Sequence, residues 1–265
     1  ATVFFSSNAA RALKTSAGLL LFCWMTYSLY QQVIHQPDLK NTLHSLEKHL
    51  ETSGFLFLGV VISLMLMNWG IEALKWKWLL KGTERISFLQ SYQSVLTGVA
   101  VSLITPNRVG EYLGRILYLR NVHKLQGITV TLMGSFVQLI VTGAWGIVGL
   151  VFYLIKVKVS SGLQLFLLAS ILLFVLLVIS FLMRHRFVEW ADRIPVLRKV
   201  RTYVLIVKRF DKKQLLRILF LSNLRYFIYT IQFIILLKLF LVNIPLLAMV
   251  CSIWVIFWAM AVVPT

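Results

Sequence analysis

The stretch Leu163 to Met183, LQLFLLASILLFVLLVISFLM, contains one strongly polar side chain, Gln164, in its whole length. At 1.5 Å of rise per residue, about 20 such residues match a hydrocarbon core about 30 Å thick. A soluble helix buries one face only and has no use for an apolar run of that length. Comparable blocks run from Thr15 to Ile34, Gly54 to Leu74, Ile128 to Tyr153 and Leu216 to Leu241. Hydrophobic residues make up 59% of the 265 positions, above the roughly half expected of a soluble domain. The reading is an all-α, polytopic transmembrane helix bundle, one domain over 1–265. Because the sequence opens with Ala1 and stops at Pro264-Thr265 directly after an apolar segment, that domain is expected to be incomplete at its C-terminus.

The net charge of +18 comes from 27 Lys and Arg against 9 Asp and Glu. These bases lie mostly between the apolar blocks, where a membrane protein keeps its cytoplasmic charge, so no nucleic-acid partner is expected. The pattern fits a multi-pass membrane protein with its N-terminus in the cytoplasm. Lys75-Trp76-Lys77-Trp78 reads as an interface anchor closing the second span. Segment 36–53 reads as a short amphipathic helix, with Leu39, Leu43, Leu46 and Leu50 on one stripe. Segment 184–213 is strongly basic with an apolar stripe of Val200, Tyr203, Val204 and Val207, which predicts an amphipathic cytoplasmic segment lying on the anionic inner leaflet. Cys23 and Cys251 sit inside apolar segments, and the five histidines are scattered. The chain therefore offers no metal-ligand spacing, and it also lacks a Ser-His-Asp set, a phosphate-binding glycine loop and a carboxylate pair. No metal, no cofactor and no catalytic residue is expected, and an enzymatic role is the less favoured one.

Ser87 to Ile104 is apolar enough to enter a membrane but breaks at Thr105-Pro106. If it crossed fully, Arg108, Arg115, Arg120 and the basic 184–213 segment would all lie outside. A re-entrant broken-helix hairpin keeps them cytoplasmic and obeys the positive-inside rule. A weak inverted repeat points the same way. Asn68 leads to Thr105-Pro106, and Asn223 leads to Pro264-Thr265, roughly 40 positions on in each case. Inverted repeats with broken helices are common in transporters. The alternative, that 245–263 is an ordinary final span, stays open.

The richest stretch is Thr105-Pro106-Asn107-Arg108-Val109-Gly110-Glu111-Tyr112-Leu113-Gly114-Arg115. Thr105 suits an N-cap and proline suits the first helical position, so a helix is expected from Pro106, its free N–H groups facing the hairpin tip. Arg108, Glu111 and Arg115 fall on one helix face. Gly110 and Gly114 fall on another and admit a close neighbour. The set suits a phosphate, with Arg108 as bidentate donor and Glu111 orienting the arginines. It equally suits an interfacial ion-pair ladder. Asn68, Glu72 and Trp76 form a second candidate group that could line a polar cavity, although Glu72 is near enough to the interface for plain solvation. Gln138, alone in an apolar span, is expected to bond across helices.

Pro106-Asn107-Arg108-Val109-Gly110-Glu111 followed by Arg115 resembles the P-x-R-x-G-E-x-x-x-R signature of the flippase-like membrane domain of lysylphosphatidylglycerol synthases and its stand-alone relatives. Asn68-Trp69, Glu72 and Trp76 resemble that family's pattern in the preceding span, and Val262-Val263-Pro264-Thr265 resembles the start of a second proline motif. The resemblance covers most of the chain. It implies handling or movement of a phosphate-bearing lipid, a membrane phospholipid above all. In the synthases this is joined to an aminoacyl-transferring soluble domain, which these residues lack. Three readings follow: a lipid transporter or flippase-like protein, the membrane domain of an aminoacyl-phospholipid synthase, and a non-transporting scaffold.

Overall fold

The computed structural model describes residues 54–102, 105, 109–119, 124–156, 161–183, 210–240 and 242–262, together with Tyr27, Tyr30, Gln31 and Ile34. Segment 36–53, the basic 184–209 stretch, residues 106–108 and the closing Pro264-Thr265 therefore lie outside the described residues. The chain divides into two compact units, Ala1–Phe55 and Leu56–Thr265. In the first, Tyr27, Tyr30, Gln31 and Ile34 are helical, and Gln31 Nε2 donates to the Tyr27 hydroxyl at 2.8 Å.

From Phe55 onward every regular element among the described residues is a helix: α1 (Phe55–Leu79), α2 (Phe88–Ser102), α3 (Val109–Ile116), α4 (Lys124–Lys156), α5 (Ser161–Leu182), α6 (Lys212–Leu239) and α7 (Leu246–Val262). Four of them, α1, α4, α5 and α6, are long and apolar enough to cross a membrane. The chain is thus a helical membrane bundle. With 25 residues, α1 runs one turn past the expected end at Leu74, so Lys75 and Trp76 belong to the helix interior rather than to an interface anchor. Both are buried, Lys75 to 1% exposure, because the partners of α1 at this level are other helices and not headgroups.

Small residues set the helix spacing, as expected where lipid gives no hydrophobic drive for helices to associate. On α4, Gly143, Gly146 and Gly149 recur every three residues and take Trp258, Trp254 and Cys251 of α7 directly on their backbone. A Cβ at Gly149 would lie 2.7 Å from the Cys251 carbonyl oxygen. The Tyr153 hydroxyl bonds Ser252, and Trp145 Nε1 donates to Asn223 Oδ1 of α6 at 3.1 Å. Gln138 departs from expectation: its amide oxygen is buried and meets no donor among the described residues. In α5 Ser170 is the buried residue, accepting from Trp258 Nε1 at 2.9 Å, while Phe174 packs at Gly143 and Phe181 stacks on Phe136 of α4.

Between α1 and α4, helices α2 and α3 form an antiparallel pair. Ser87 and Gln90 cap α2 reciprocally, Ser87 N to Gln90 Oε1 at 3.0 Å and Gln90 N to Ser87 Oγ at 3.1 Å, a capping box that Ser87-Phe88-Leu89-Gln90 spells in the sequence. Thr105 Oγ1 accepts from Gly110 N at 2.7 Å and so satisfies a first-turn N–H of α3. Gly98 and Gly114 bring the two backbones into contact, since a Cβ on Gly114 would lie 2.6 Å from Gly98 Cα. At 15 and 8 residues, α2 and α3 extend about 22 Å and 12 Å, short of the roughly 30 Å apolar core. Both limbs attach at one end of α1. Ser91 Oγ donates to Ala73 O at 2.5 Å, and Ile116 and Leu119 meet Gly127 at the start of α4, whose Gly134 faces Leu79. The apolar core gathers there, with Ala73, Trp76, Leu79, Val95, Val130 and Ile218 among its members.

Gly114→Val is expected to destabilise the protein by about 1–3 kcal/mol, because the two backbones must part to admit it. Gly59→Ala, whose Cβ would meet nothing within 4 Å, is expected to be neutral or to stabilise by up to about 1 kcal/mol. Thermal unfolding of both variants in one detergent checks the contrast.

Candidate functional site

Glu72 lies on the inward face of α1, 3% exposed, at a depth where an isolated carboxylate would be costly. It is held by three cations. Lys75 Nζ, one turn on, is 2.7 Å from Glu72 Oε2. Arg225 Nη1 of α6 donates to the same oxygen at 2.6 Å. Arg115 Nη1 of α3 is 2.9 Å from Oε1. A carboxylate offers about four lone-pair sites, so three charged donors come close to filling it.

The two arginines are themselves tied down. Asn68, one turn before Glu72, accepts from Arg225 Nε at 2.9 Å and donates through Nδ2 to the Arg225 carbonyl at 3.3 Å. The Arg225 guanidinium lies 5.5 Å from the centre of the Tyr229 ring, and that of Arg115 lies 5.6 Å from the Trp76 ring. Arg115 also pairs through Nη2 with Glu111, one turn earlier on α3, and its carbonyl accepts from Ser94 Oγ of α2 at 3.0 Å. Lys75, Arg115 and Arg225 against Glu72 and Glu111 leave one positive charge in excess. Two buried donors, Arg115 Nε and Trp76 Nε1, have no partner among the described residues. Solvent reaches the cluster mainly at Glu111, whose side chain is 22% exposed, and at Arg225, at 17%; the other side chains of the cluster are almost wholly enclosed.

The two candidate groups read from the sequence therefore meet at Arg115. Asn68, Glu72 and Trp76 supply one wall, while Glu111 and Arg115 supply another. Gly110 and Gly114 are the close-contact positions of the hairpin, and Thr105 closes its turn onto Gly110. Pro106, Asn107 and Arg108 lie outside the described residues. One expectation is overturned. Glu72 is not solvated at an interface but enclosed, because α1 continues past it and α3 and α6 cover it with arginines. Arg225 was not singled out as a candidate. Its signal was available, as a lone base midway along an apolar run between Arg217 and Lys238, and such a charge inside a span is a functional candidate by default. Nothing local to Arg225 pointed to Asn68 and Glu72 as its partners. Among the described residues no group of His, Cys, Asp and Glu is placed to hold a metal ion.

A family model described as the lysylphosphatidylglycerol synthase TM region matches residues 10–265. No curated protein and no solved structure matches the chain.

Glu72→Gln is expected to cost about 3–5 kcal/mol of stability, since it leaves three buried cations without their shared anion. Combining it with Arg225→Gln should cost less than the two single changes added together, because the second change removes one of those stranded charges. Denaturant titration of the four proteins gives the coupling, and strict additivity would show that the contact contributes nothing.

Proposed function

The chain belongs to the lysylphosphatidylglycerol synthase transmembrane-region family, and we propose that it binds a phosphate-bearing lipid at the α2–α3 hairpin and passes it across the bilayer. The observation that carries this reading is the enclosed charge cluster, in which three cations face two carboxylates within a membrane bundle. One surplus positive charge in a low-dielectric site attracts an anion far more strongly than it would in water. The anion available at that depth is the phosphodiester of a lipid.

In this reading Thr105, Pro106, Asn107, Arg108, Gly110, Glu111 and Arg115 form the headgroup site. Arg108 is the first phosphate donor. Arg115 becomes the second when the phosphate displaces Glu111, the more exposed of its two carboxylate partners. Glu72, with Asn68 and Trp76 beside it, holds Arg115 and Arg225 in place throughout, so the site stays assembled when lipid leaves. The hairpin is re-entrant from the cytoplasmic side, and its shortness supports that reading. The second half of an inverted repeat would begin with α6 and α7. The chain would sit in a bacterial inner membrane with its N-terminus in the cytoplasm and its basic 184–213 segment on the anionic leaflet.

A second reading, drawn from the family's name, is that this is the membrane part of an aminoacyl-phospholipid synthase. The two readings separate in vesicles containing this chain alone. A transporter moves labelled lipid unaided, whereas a synthase's membrane part that needs its partner does not.

Two outcomes are expected. Arg108→Ala should slow the appearance of fluorescent phosphatidylglycerol at the far leaflet by roughly tenfold or more, the loss of one charge-assisted hydrogen bond of about 1.5–3 kcal/mol, with thermal stability unchanged. An undiminished rate would remove Arg108 from the site. With Cys23 and Cys251 replaced, Thr83→Cys before the hairpin and Leu117→Cys after it should both react with an impermeant thiol reagent from the cytoplasmic side. Reaction from opposite sides would make α2 part of a full crossing.

A further inference from the structure

A second cationic site lies apart from the Glu72 cluster, where α1 ends and α6 begins. A cavity of about 600 Å³ opens there, lined by Trp78 of α1, Lys81 and Arg85 of the following turn, and Lys213 and Arg217 of α6. Glu84 and Asp211 also line it, so among the described residues four cations face two carboxylates. Asp211 is engaged as the N-cap of α6, accepting from Gln214 N at 2.6 Å. The two walls are tied by Gln214 Nε2, which donates to the Trp78 carbonyl at 2.7 Å. The turn is tight because Gly82 takes φ +95°, a conformation that side chains disfavour, which folds Lys81 and Arg85 around the cavity. The Trp78 ring carries two of the cations, Lys81 Nζ at 4.8 Å and the Arg217 guanidinium at 4.7 Å from its centre.

What lies beside these cations indicates the ligand. Lys213, Leu216, Arg217 and Phe220 are spaced three and four apart, so they share one face of α6. Leu216 is 64% exposed and Phe220 66% exposed, an apolar strip running from the cavity along the helix. Free phosphate has no use for such a strip, whereas a lipid whose headgroup sits among the cations lays its acyl chains there. Tryptophan beside a basic pocket at the end of a span is the environment in which anionic headgroups are met. We propose that this pocket binds the phosphodiester headgroup of an anionic lipid from the adjoining leaflet, with Arg217 and Lys81 as the phosphate partners and Leu216 and Phe220 as the chain-bearing surface. This site is distinct from the hairpin and does not depend on lipid being moved across the bilayer.

The test uses the full chain in phosphatidylcholine vesicles doped with either photoactivatable phosphatidylglycerol or photoactivatable phosphatidylcholine. Phosphatidylglycerol is expected to label peptides covering 78–85 and 211–220, in preference to phosphatidylcholine. Lys81→Gln with Arg217→Gln should reduce that labelling by about fivefold for each charge removed, with elution and thermal stability unchanged because both side chains are exposed. Labelling that excess inorganic phosphate fails to displace supports a lipid ligand. Displacement by inorganic phosphate would overturn the lipid assignment in favour of a free anion. Equal labelling by the two lipids, or labelling unaffected by the double substitution, would mean that these bases are ordinary interfacial anchors. Lys81 and Arg217 are outside both the hairpin and the Glu72 cluster, so either result leaves the lipid-movement reading to be decided by Arg108→Ala.

Discussion

A carboxylate inside a membrane-crossing helix must be neutralised by its own fold, and Glu72 draws three separate stretches of chain toward itself to achieve this. Lys75 comes from the next turn, Arg115 from the short α3 and Arg225 from the middle of α6. All three bases share Glu72 as a carboxylate partner, and Arg115 and Arg225 have Glu111 and Asn68 as further partners. The pairing fixes which faces of α1, α3 and α6 meet, since each base reaches Glu72 from a different position along the chain. Asn68 narrows the geometry further, since it reads both the side chain and the backbone carbonyl of Arg225. Buried ion pairs add little net stability over a well-packed apolar core, so their use here is better understood as specifying register than as strengthening the bundle.

Arg115 reaches that cluster only because α3 lies flush against α2. Gly98 and Gly114 remove the side chains that would hold the two helices apart, and Ser94 then takes the Arg115 carbonyl. The same residue that touches the enclosed Glu72 of α1 also pairs with the more exposed Glu111 of its own helix. Two carboxylates on different helices therefore converge on a single guanidinium. An arginine suits this double role better than a lysine because its planar fork can address two carboxylates at once.

The remaining helices serve that arrangement in different ways. The glycines of α4 seat α7, while α5 presents most of its surface outward and contributes mainly Ser170 to the interior. At the end of α1 the charges change character. Lys81, Arg85, Lys213 and Arg217 are exposed around an open cavity, in contrast to the enclosed Lys75 and Arg115. The bundle thus holds two kinds of basic site. One is locked by carboxylates inside the apolar layer and the other is open at its edge.

Much of this was readable from residue order alone, for a physical reason. The bilayer imposes a length and a polarity on each crossing segment, and Leu163 to Met183 or Leu216 to Leu241 meet those demands without reference to any neighbour. The proline break after Ser87 to Ile104 and the glycines at Gly110 and Gly114 were likewise local signals, because backbone geometry and close approach depend on the residue itself. Which charge finds which partner is a different matter. Asn68 and Arg225 are separated by most of the chain, and nothing at either position names the other. The sequence set Glu72 and Lys75 near the end of a span, where solvation was a sufficient account. It was the continuation of α1 by one turn, and the covering of that turn by α3 and α6, that turned those same residues into an enclosed cluster. Spans are decided by the solvent that each segment meets, whereas the pairing of buried charges is decided by the helices packed against them.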